Sequence, residues 1–155
     1  MSEHWWVSVA LVTALCLAYG GWKLSHRRRH RRRHRFLQTA REQFHKQREW
    51  LEANFLTLAM KTAPRGLEWG DYEFDDVVRF ARDPDKNELC AFVGVTIKFE
   101  AIEGGGMEDV EAVSQFKAAT GVFHYRDGKW MTLGRTVLNL NPYETIVHYQ
   151  LDHVD

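Results

Sequence analysis

The sequence predicts an α+β fold in which a long amphipathic helix packs on a four-stranded antiparallel meander and a short C-terminal helix follows. Three observations predict this fold. Residues 37–63 carry a helical pattern that no glycine or proline interrupts. Four segments with alternating apolar and polar residues come next, separated by turn-forming sequences. A proline-containing helix start then stands at residues 141–144.

The long helix is predicted from apolar residues that recur at steps of three and four, the spacing that places them on one face. These residues are Leu37, Ala40, Phe44, Leu51, Phe55 and Leu58. The sequence Pro64-Arg65-Gly66 ends the pattern, because proline and glycine both disfavour a helix interior. We expect this helix to cover one face of the sheet, and self-association of residues 37–58 as a coiled coil is the alternative.

Four strands are predicted, at residues 72–82, 89–102, 111–125 and 129–140. The second gives the clearest signal, because every odd position from Leu89 to Ala101 is apolar whereas the even positions are mixed. We therefore expect the even face of this strand to be the wetter one. The dipeptide Asp127-Gly128 predicts a tight hairpin between the third and fourth strands.

A short helix is predicted after the last strand. Asn141 is a preferred N-cap residue, Pro142 suits the first helical position, and the acidic Glu144 suits the third. If this helix runs to the end of the chain, one face of it is apolar. That face consists of Tyr143, Val147, Leu151 and Val154.

The order of a long helix, four antiparallel strands and a short helix is similar to the cystatin-like and NTF2-like α+β folds. The resemblance concerns the architecture, and no functional residue is carried over from either family. In NTF2-like proteins the cone between helix and sheet can hold a small ligand or an active site. The resemblance therefore implies a pocket between helix and sheet as an alternative to a solid core.

The segment before these elements has the features of a membrane anchor. Residues 5–22 carry no charge, and as a helix they rise about 27 Å, close to the roughly 30 Å hydrocarbon core of a bilayer. A signal peptide would carry its positive charges before the apolar run, whereas here they follow it. We predict a membrane-spanning helix over residues 5–24. Its interfacial aromatic residues are Trp5, Trp6, Tyr19 and Trp22.

A basic neck, residues 25–36, follows the predicted membrane helix. Because basic residues are retained on the cytoplasmic side, we predict a single-pass protein with residues 1–4 outside and the C-terminal domain in the cytoplasm. Anionic lipid headgroups are the predicted partner of the cations in and beside the neck. Nucleic acid is the less favoured partner, because no aromatic residue interleaves the arginines. The cations are Lys23, Arg27, Arg28, Arg29, Arg31, Arg32, Arg33 and Arg35.

Charge separates the neck from the rest of the chain. Eight of the 21 basic residues lie within residues 23–35 and only one of the 21 acids precedes residue 36, so residues 36–155 carry a net charge of −7. We expect residues 37–63 and 64–155 to form one acidic domain, repelled by the same anionic surface that attracts the neck.

No sequence motif predicts a catalytic, cofactor or metal site. His26, His30 and His34 have a spacing that could ligate a metal on a helix, but the arginines around them repel a divalent cation. Cys90 and His124 fall in neighbouring strands, and sequence alone leaves their separation open. Cys90 is expected to be a buried structural residue, and a nucleophile only if a base activates it. If a pocket exists, its candidate residues are Cys90, His124 and Tyr125.

The function expected from these features is not enzymatic. The protein would tether or scaffold an unidentified protein partner at a membrane surface. One alternative is an NTF2-like pocket that binds or transforms a small molecule. A further alternative is nucleic-acid contact through the neck.

Overall fold

The computed structural model describes the backbone of residues 5–154, the side chains of residues 33–154 and, before them, the side chains of Tyr19, Lys23 and Arg31. The fold is α+β, as predicted, with a long helix and an antiparallel sheet. The elements are α1 (Trp5–Ala59), a 3-10 helix (Met60–Thr62), β1 (Leu67–Asp83), β2 (Glu88–Ala101), a second 3-10 helix (Glu111–Ser114), β3 (Phe116–Arg126), β4 (Lys129–Leu138), α2 (Pro142–His148) and β5 (Asp152–His153).

The chain divides into two compact units, Met1–Glu42 and Gln43–Asp155. The second unit contains the end of α1 together with the sheet and α2. The candidate site described below lies entirely within this second unit.

The sheet has five strands rather than the predicted four, in the order β4-β3-β2-β1-β5. Strands β1 to β4 form the predicted antiparallel meander. Strand β5 adds to the outer edge of β1, where Ala81 pairs with His153 and Arg82 with Asp152. A two-residue strand is too short to show an alternating pattern, so its sequence carried no strand signal.

Two strand boundaries differ from the prediction by more than two residues. β1 begins at Leu67, five residues early, because a register shift between Trp69 and Tyr72 interrupts the alternation that marks a strand. β3 begins at Phe116, because Glu111–Ser114 form a 3-10 helix. The tight hairpin is confirmed: Asp127 and Gly128 have φ values of 49° and 78°, the left-handed pair that a type I′ turn requires.

One face of the sheet is covered by the end of α1, as predicted. Phe44 and Phe55 are fully buried there. The ring of Phe44 lies edge-on to Phe80, Phe123 and Trp130, with centroid distances of 5.7, 5.4 and 5.0 Å. Edge-to-face packing of this kind suits the quadrupoles of aromatic rings and adds to the stability gained by burying them. We call this side of the sheet the α1 face.

The opposite side, which we call the α2 face, is drier than predicted. Cys90 and Phe92, at even positions of β2, are buried in a cluster with Val122 of β3 and Ile146 of α2. α2 lies against this half of the sheet and excludes water from it. From Thr96 onward the even positions of β2 are more exposed, as expected.

The cap of α2 is the predicted one. The Asn141 side chain accepts a hydrogen bond from the Glu144 backbone N–H, and the Glu144 carboxylate accepts one from the Asn141 backbone N–H, both at 2.9 Å. Together they satisfy two N–H groups that a helix start otherwise leaves without partners.

The predicted apolar face of this helix is wrong. α2 ends at His148 and buries Thr145 and Ile146, whereas Tyr143 and Val147 are more than half exposed. The prediction assumed a helix that continues to the end of the chain. Instead the backbone reverses after the helix, with Gln150 at a positive φ of 53°, and leads into β5.

Candidate functional site

The pairing of β2 with β3 brings two of the three predicted pocket residues together. Cys90 pairs directly with His124, and the Cys90 Sγ lies 3.5 Å from the His124 Nδ1. Both side chains project from the α2 face, because residues opposite each other in an antiparallel pair share a face.

Glu88 completes this cluster. Its Oε2 lies 3.2 Å from the same His124 Nδ1. Arg126 holds the carboxylate, since its Nε donates to Oε1 and its Nη2 donates to Oε2 at 3.3 Å. Sequence reasoning missed Glu88, although it stands two residues before Cys90 and so shares a face with it. The signal was present, but it had meaning only once the strand register was known.

The electrostatics of the cluster keep the cysteine protonated. Burial, reinforced by the negative charges of Glu88 and Asp83, raises the pKa of the Cys90 thiol to about 12. Burial lowers the pKa of His124 despite the opposing effect of Glu88, which favours the neutral imidazole. The hydrogen bond from Arg126 is the main cause that lowers the pKa of Glu88. Cys90 is therefore a thiol at neutral pH and lacks the thiolate that nucleophilic catalysis needs.

Because Cys90, His124 and Glu88 each offer a lone pair within 4.8 Å of the other two, the cluster could also hold a metal ion.

A cavity of about 340 Å³ adjoins the cluster on the α2 face, and Cys90 and His124 are part of its wall. The apolar part of the lining includes Phe92, Val122 and Val137. The turn between β1 and β2 closes one side, and α2 with the segment after it closes another. The volume lies within the range of about 300–1,000 Å³ typical of ligand pockets.

Two polar side chains of this cavity form no hydrogen bond or ion pair with the described part of the protein. Thr145 is fully buried, and its Oγ1 makes no hydrogen bond to the described part of the protein. Arg135 is exposed: its guanidinium lies over the Tyr149 ring, 4.9 Å from its centre, and no described carboxylate forms an ion pair with it. Since buried hydroxyl groups are almost always hydrogen-bonded, Thr145 marks a position where a polar group would be stabilised.

Tyr125, the third predicted pocket residue, does not join the cavity. Neighbouring residues in a strand point to opposite faces, so Tyr125 lies on the α1 face. Its hydroxyl donates to the Gln43 Oε1 at 3.0 Å, and its ring lies 5.1 Å from that of Trp130. The α1 face, where the architectural resemblance implied a ligand cone, is instead packed with aromatic rings.

The predicted membrane residues fall largely outside the described side chains. Among the described ones, Tyr19 is exposed, the Lys23 Nζ lies 5.9 Å from the centre of the Tyr19 ring, and Arg31, Arg33 and Arg35 are exposed. Within the part of the chain that the structure describes, no helix has an apolar stretch long enough to cross a membrane. The predicted spanning segment, residues 5–24, stays a prediction. The predicted site residues outside the described side chains are Trp5, Trp6, Trp22, Arg27, Arg28, Arg29 and Arg32.

Comparisons of the chain with protein-family models, with curated proteins and with solved structures gave no significant match.

Proposed function

We propose that the folded unit binds a small organic acid in the cavity beside α2, without transforming it, and that residues 5–24 hold the unit at a membrane. The observation that carries the binding proposal is that Thr145 and Arg135 both line one cavity. A buried hydroxyl without a partner and an exposed guanidinium without a carboxylate both border this cavity, whose lining is part polar and part apolar.

The lining indicates the chemistry of the ligand. Phe92, Val122 and Val137 favour an apolar body, because burying apolar surface there removes it from water. Arg135 favours a carboxylate, which can accept two parallel hydrogen bonds from a guanidinium. Thr145 offers one further hydrogen bond to a polar atom of the ligand.

Asp83, one of the two acidic residues that line the cavity, has part of its charge balanced within its own turn. The Asp83 carboxylate accepts hydrogen bonds from the backbone N–H groups of Asp85 and Lys86, at 3.0 and 3.1 Å. The Lys86 Nζ also lies 3.7 Å from the same carboxylate. The charge of Asp83 is thus partly balanced within its own turn, which leaves the cation of Arg135 for the ligand.

The proposal excludes nucleophilic catalysis because the Cys90 thiol, the one nucleophile at this cavity wall with a histidine beside it, stays protonated at neutral pH. Binding alone makes use of Arg135 and of the Thr145 hydroxyl.

The membrane part of the proposal rests on the sequence. An uncharged segment of membrane length followed by the basic neck confines the acidic unit near a surface and raises its effective concentration there. The full-length chain should sediment with membranes at high speed and dissolve only in detergent. Recovery in the supernatant without detergent would contradict the anchor, and cleavage of the acidic unit by protease added to intact cells would contradict its cytoplasmic orientation.

Ligand binding is tested on the full chain in detergent by thermal unfolding with matched probes: benzoate against benzamide, and hexanoate against hexanamide. At ten times its dissociation constant, a bound acid stabilises the protein by about 1.4 kcal/mol and raises Tm by about 6 °C. The acids, but not the amides, should raise Tm, and Arg135→Gln should abolish the effect. Lys129→Gln, on the same strand but away from the cavity, is the matched control and should retain it.

Two outcomes would contradict the binding proposal. Equal shifts from an acid and its amide would mean that Arg135 does not select the ligand. A shift that persists in Arg135→Gln would point to the anion binding at the basic neck instead.

A second candidate function is the tethering or scaffolding of a protein partner. The packed aromatic interface on the α1 face favours it, because that interface leaves no space for the ligand cone of the NTF2-like alternative. Crosslinking in intact membranes followed by mass spectrometry tests it, and recovery of lipid and self alone would contradict it. Nucleic-acid contact through the neck predicts mobility shifts that weaken steeply with salt.

A further inference from the structure

The Glu88–Cys90–His124 cluster brings three atoms that can ligate a metal close together. The His124 Nδ1 lies 3.5 Å from the Cys90 Sγ and 3.2 Å from the Glu88 Oε2. In tetrahedral zinc sites the metal–sulfur distance is about 2.3 Å and the metal–nitrogen and metal–oxygen distances are about 2.0–2.1 Å, so neighbouring ligand atoms lie about 3.3–3.6 Å apart. The two distances to the His124 Nδ1 match this spacing, and the third pair, the Cys90 Sγ and a Glu88 carboxylate oxygen, lies within 4.8 Å.

Without a metal, the hydrogen-bonding capacity of this cluster is only partly used. The His124 Nδ1 either carries a proton, which it donates to Glu88, or a lone pair, which accepts from the Cys90 thiol. With the proton on Nδ1, the contact to Cys90 is the weaker branch of a shared hydrogen bond, because sulfur is a weak acceptor; without it, the contact to Glu88 has no hydrogen bond. A divalent cation would use a lone pair from all three atoms at once.

The surroundings permit an ion to enter and to complete its coordination. Cys90 and His124 border the cavity, which can supply a water as a fourth ligand. Glu88 borders a separate surface groove together with Arg126, so the cluster is reached from two sides. Arg126 donates to both oxygens of Glu88 and thereby orients the carboxylate, the kind of support that metal ligands receive from a second layer of residues.

We propose that the Glu88 Oε2, the Cys90 Sγ and the His124 Nδ1 bind a zinc(II) ion, with water in the fourth position. One sulfur, one nitrogen and one oxygen ligand suit this borderline-soft cation. On binding, the Cys90 S–H bond breaks, the sulfur–metal bond forms and the proton passes to solvent. His124 binds through Nδ1 with its proton on Nε2. This zinc site does not depend on the proposed binding of an organic acid in the cavity.

The test uses the full chain in detergent, fused to an affinity tag that contains no histidine. Zinc and then cobalt(II) are the only ligands added. His26, His30 and His34 are changed to glutamine in all samples, because their helical spacing could bind zinc in the neck. We expect one zinc per chain. Cobalt should give an intense thiolate-to-metal charge-transfer band, because the site contains a cysteine ligand.

Variants then assign the ligands. Cys90→Ala should abolish the cobalt band, and Glu88→Gln, which keeps the size of the side chain, should weaken zinc binding. Loss of a residue that merely supports a ligand already costs about 10–100-fold in affinity, so Glu88→Gln should cost at least about 100-fold. Cys16→Ser removes the other cysteine of the chain and should leave the band unchanged.

Two results would overturn the site: no thiolate–cobalt band at saturating cobalt, or a band that survives in Cys90→Ala. The band of the protein with Glu88, Cys90 and His124 intact is measured without any change at the site, so the first result decides the question even if Cys90→Ala fails to fold. No organic acid is present, and a negative result here therefore leaves the ligand proposal to its own experiment.

Discussion

Substitution of Gly134 by alanine tests how closely the end of α1 approaches the sheet. Gly134 in β4 has a φ of 70°, and a Cβ at this position would lie 2.5 Å from the Leu58 Cβ and 2.8 Å from the Ala59 backbone nitrogen. A side chain pays a conformational cost at this φ of about 1–2 kcal/mol. Displacing the helix backbone adds an overpacking cost of about 1–3 kcal/mol. We expect Gly134→Ala to destabilise the unit by about 2–5 kcal/mol.

Gly128 provides the matched control. It has a similar φ of 78°, but nothing lies within 4 Å of a Cβ placed there. Gly128→Ala therefore carries the conformational cost alone, about 1–2 kcal/mol. The difference between the two variants isolates the contact between α1 and β4.

Thermal unfolding of the full chain in detergent, followed by circular dichroism, measures this difference. For a unit of this size Tm falls by roughly 4 °C per kcal/mol, so Gly134→Ala should lower Tm by about 8–20 °C and Gly128→Ala by about 4–8 °C. Equal shifts in the two variants would refute the close approach of helix and strand.

Two further predictions concern the core and the β1–β2 turn. Phe44→Ala should lower the free energy of unfolding by about 3–5 kcal/mol, because the side chain is fully buried among aromatic rings. Trp50 is 61 % exposed on the same helix, so Trp50→Ala should lower it by less than about 1 kcal/mol. Equal losses of Tm in the two variants would argue against the aromatic core. Hydrogen bonding by the Lys86 backbone N–H is the main cause that lowers the pKa of Asp83 below its ordinary 3.8, so this carboxylate stabilises the fold above that pH and less as the pH falls through its folded pKa. The difference in Tm between wild type and Asp83→Asn should stay constant from pH 8 to about pH 5 and shrink below about pH 4. A difference that is constant down to pH 2 would contradict the lowered pKa of Asp83.

The architecture could be predicted because strong periodicity marks its main elements. Phe44 and Phe55 stand at helical spacing, and the alternation from Leu89 to Ala101 assigns β2 and its buried odd face. β5 was missed because two residues carry no period. The predicted face of α2 is wrong because the backbone reverses at Gln150, whereas the helical pattern of the sequence continues past it.

The candidate site was predictable only in part. Cys90 and His124 were selected by residue type, but their contact depends on a pairing register that the long connection between β2 and β3 leaves undetermined in the sequence. Tyr125 was grouped with them because adjacency in the chain says nothing about which face a strand residue occupies until the sheet is known. The partnerless hydroxyl of Thr145 exists only in three dimensions, since it follows from how α2 meets the sheet.

The most direct test of the central claim is to locate an acid probe on the protein by methyl NMR. Full-length protein in detergent, labelled at its valine and leucine methyl groups, is titrated with benzoate and, as a control, benzamide. Binding beside α2 should shift the methyl signals of Val122, Val137 and Leu151, with Val93 and Val95 on the α1 face unaffected. Shifts confined to the α1 face, or no benzoate-specific shift at any methyl group, would contradict the claim.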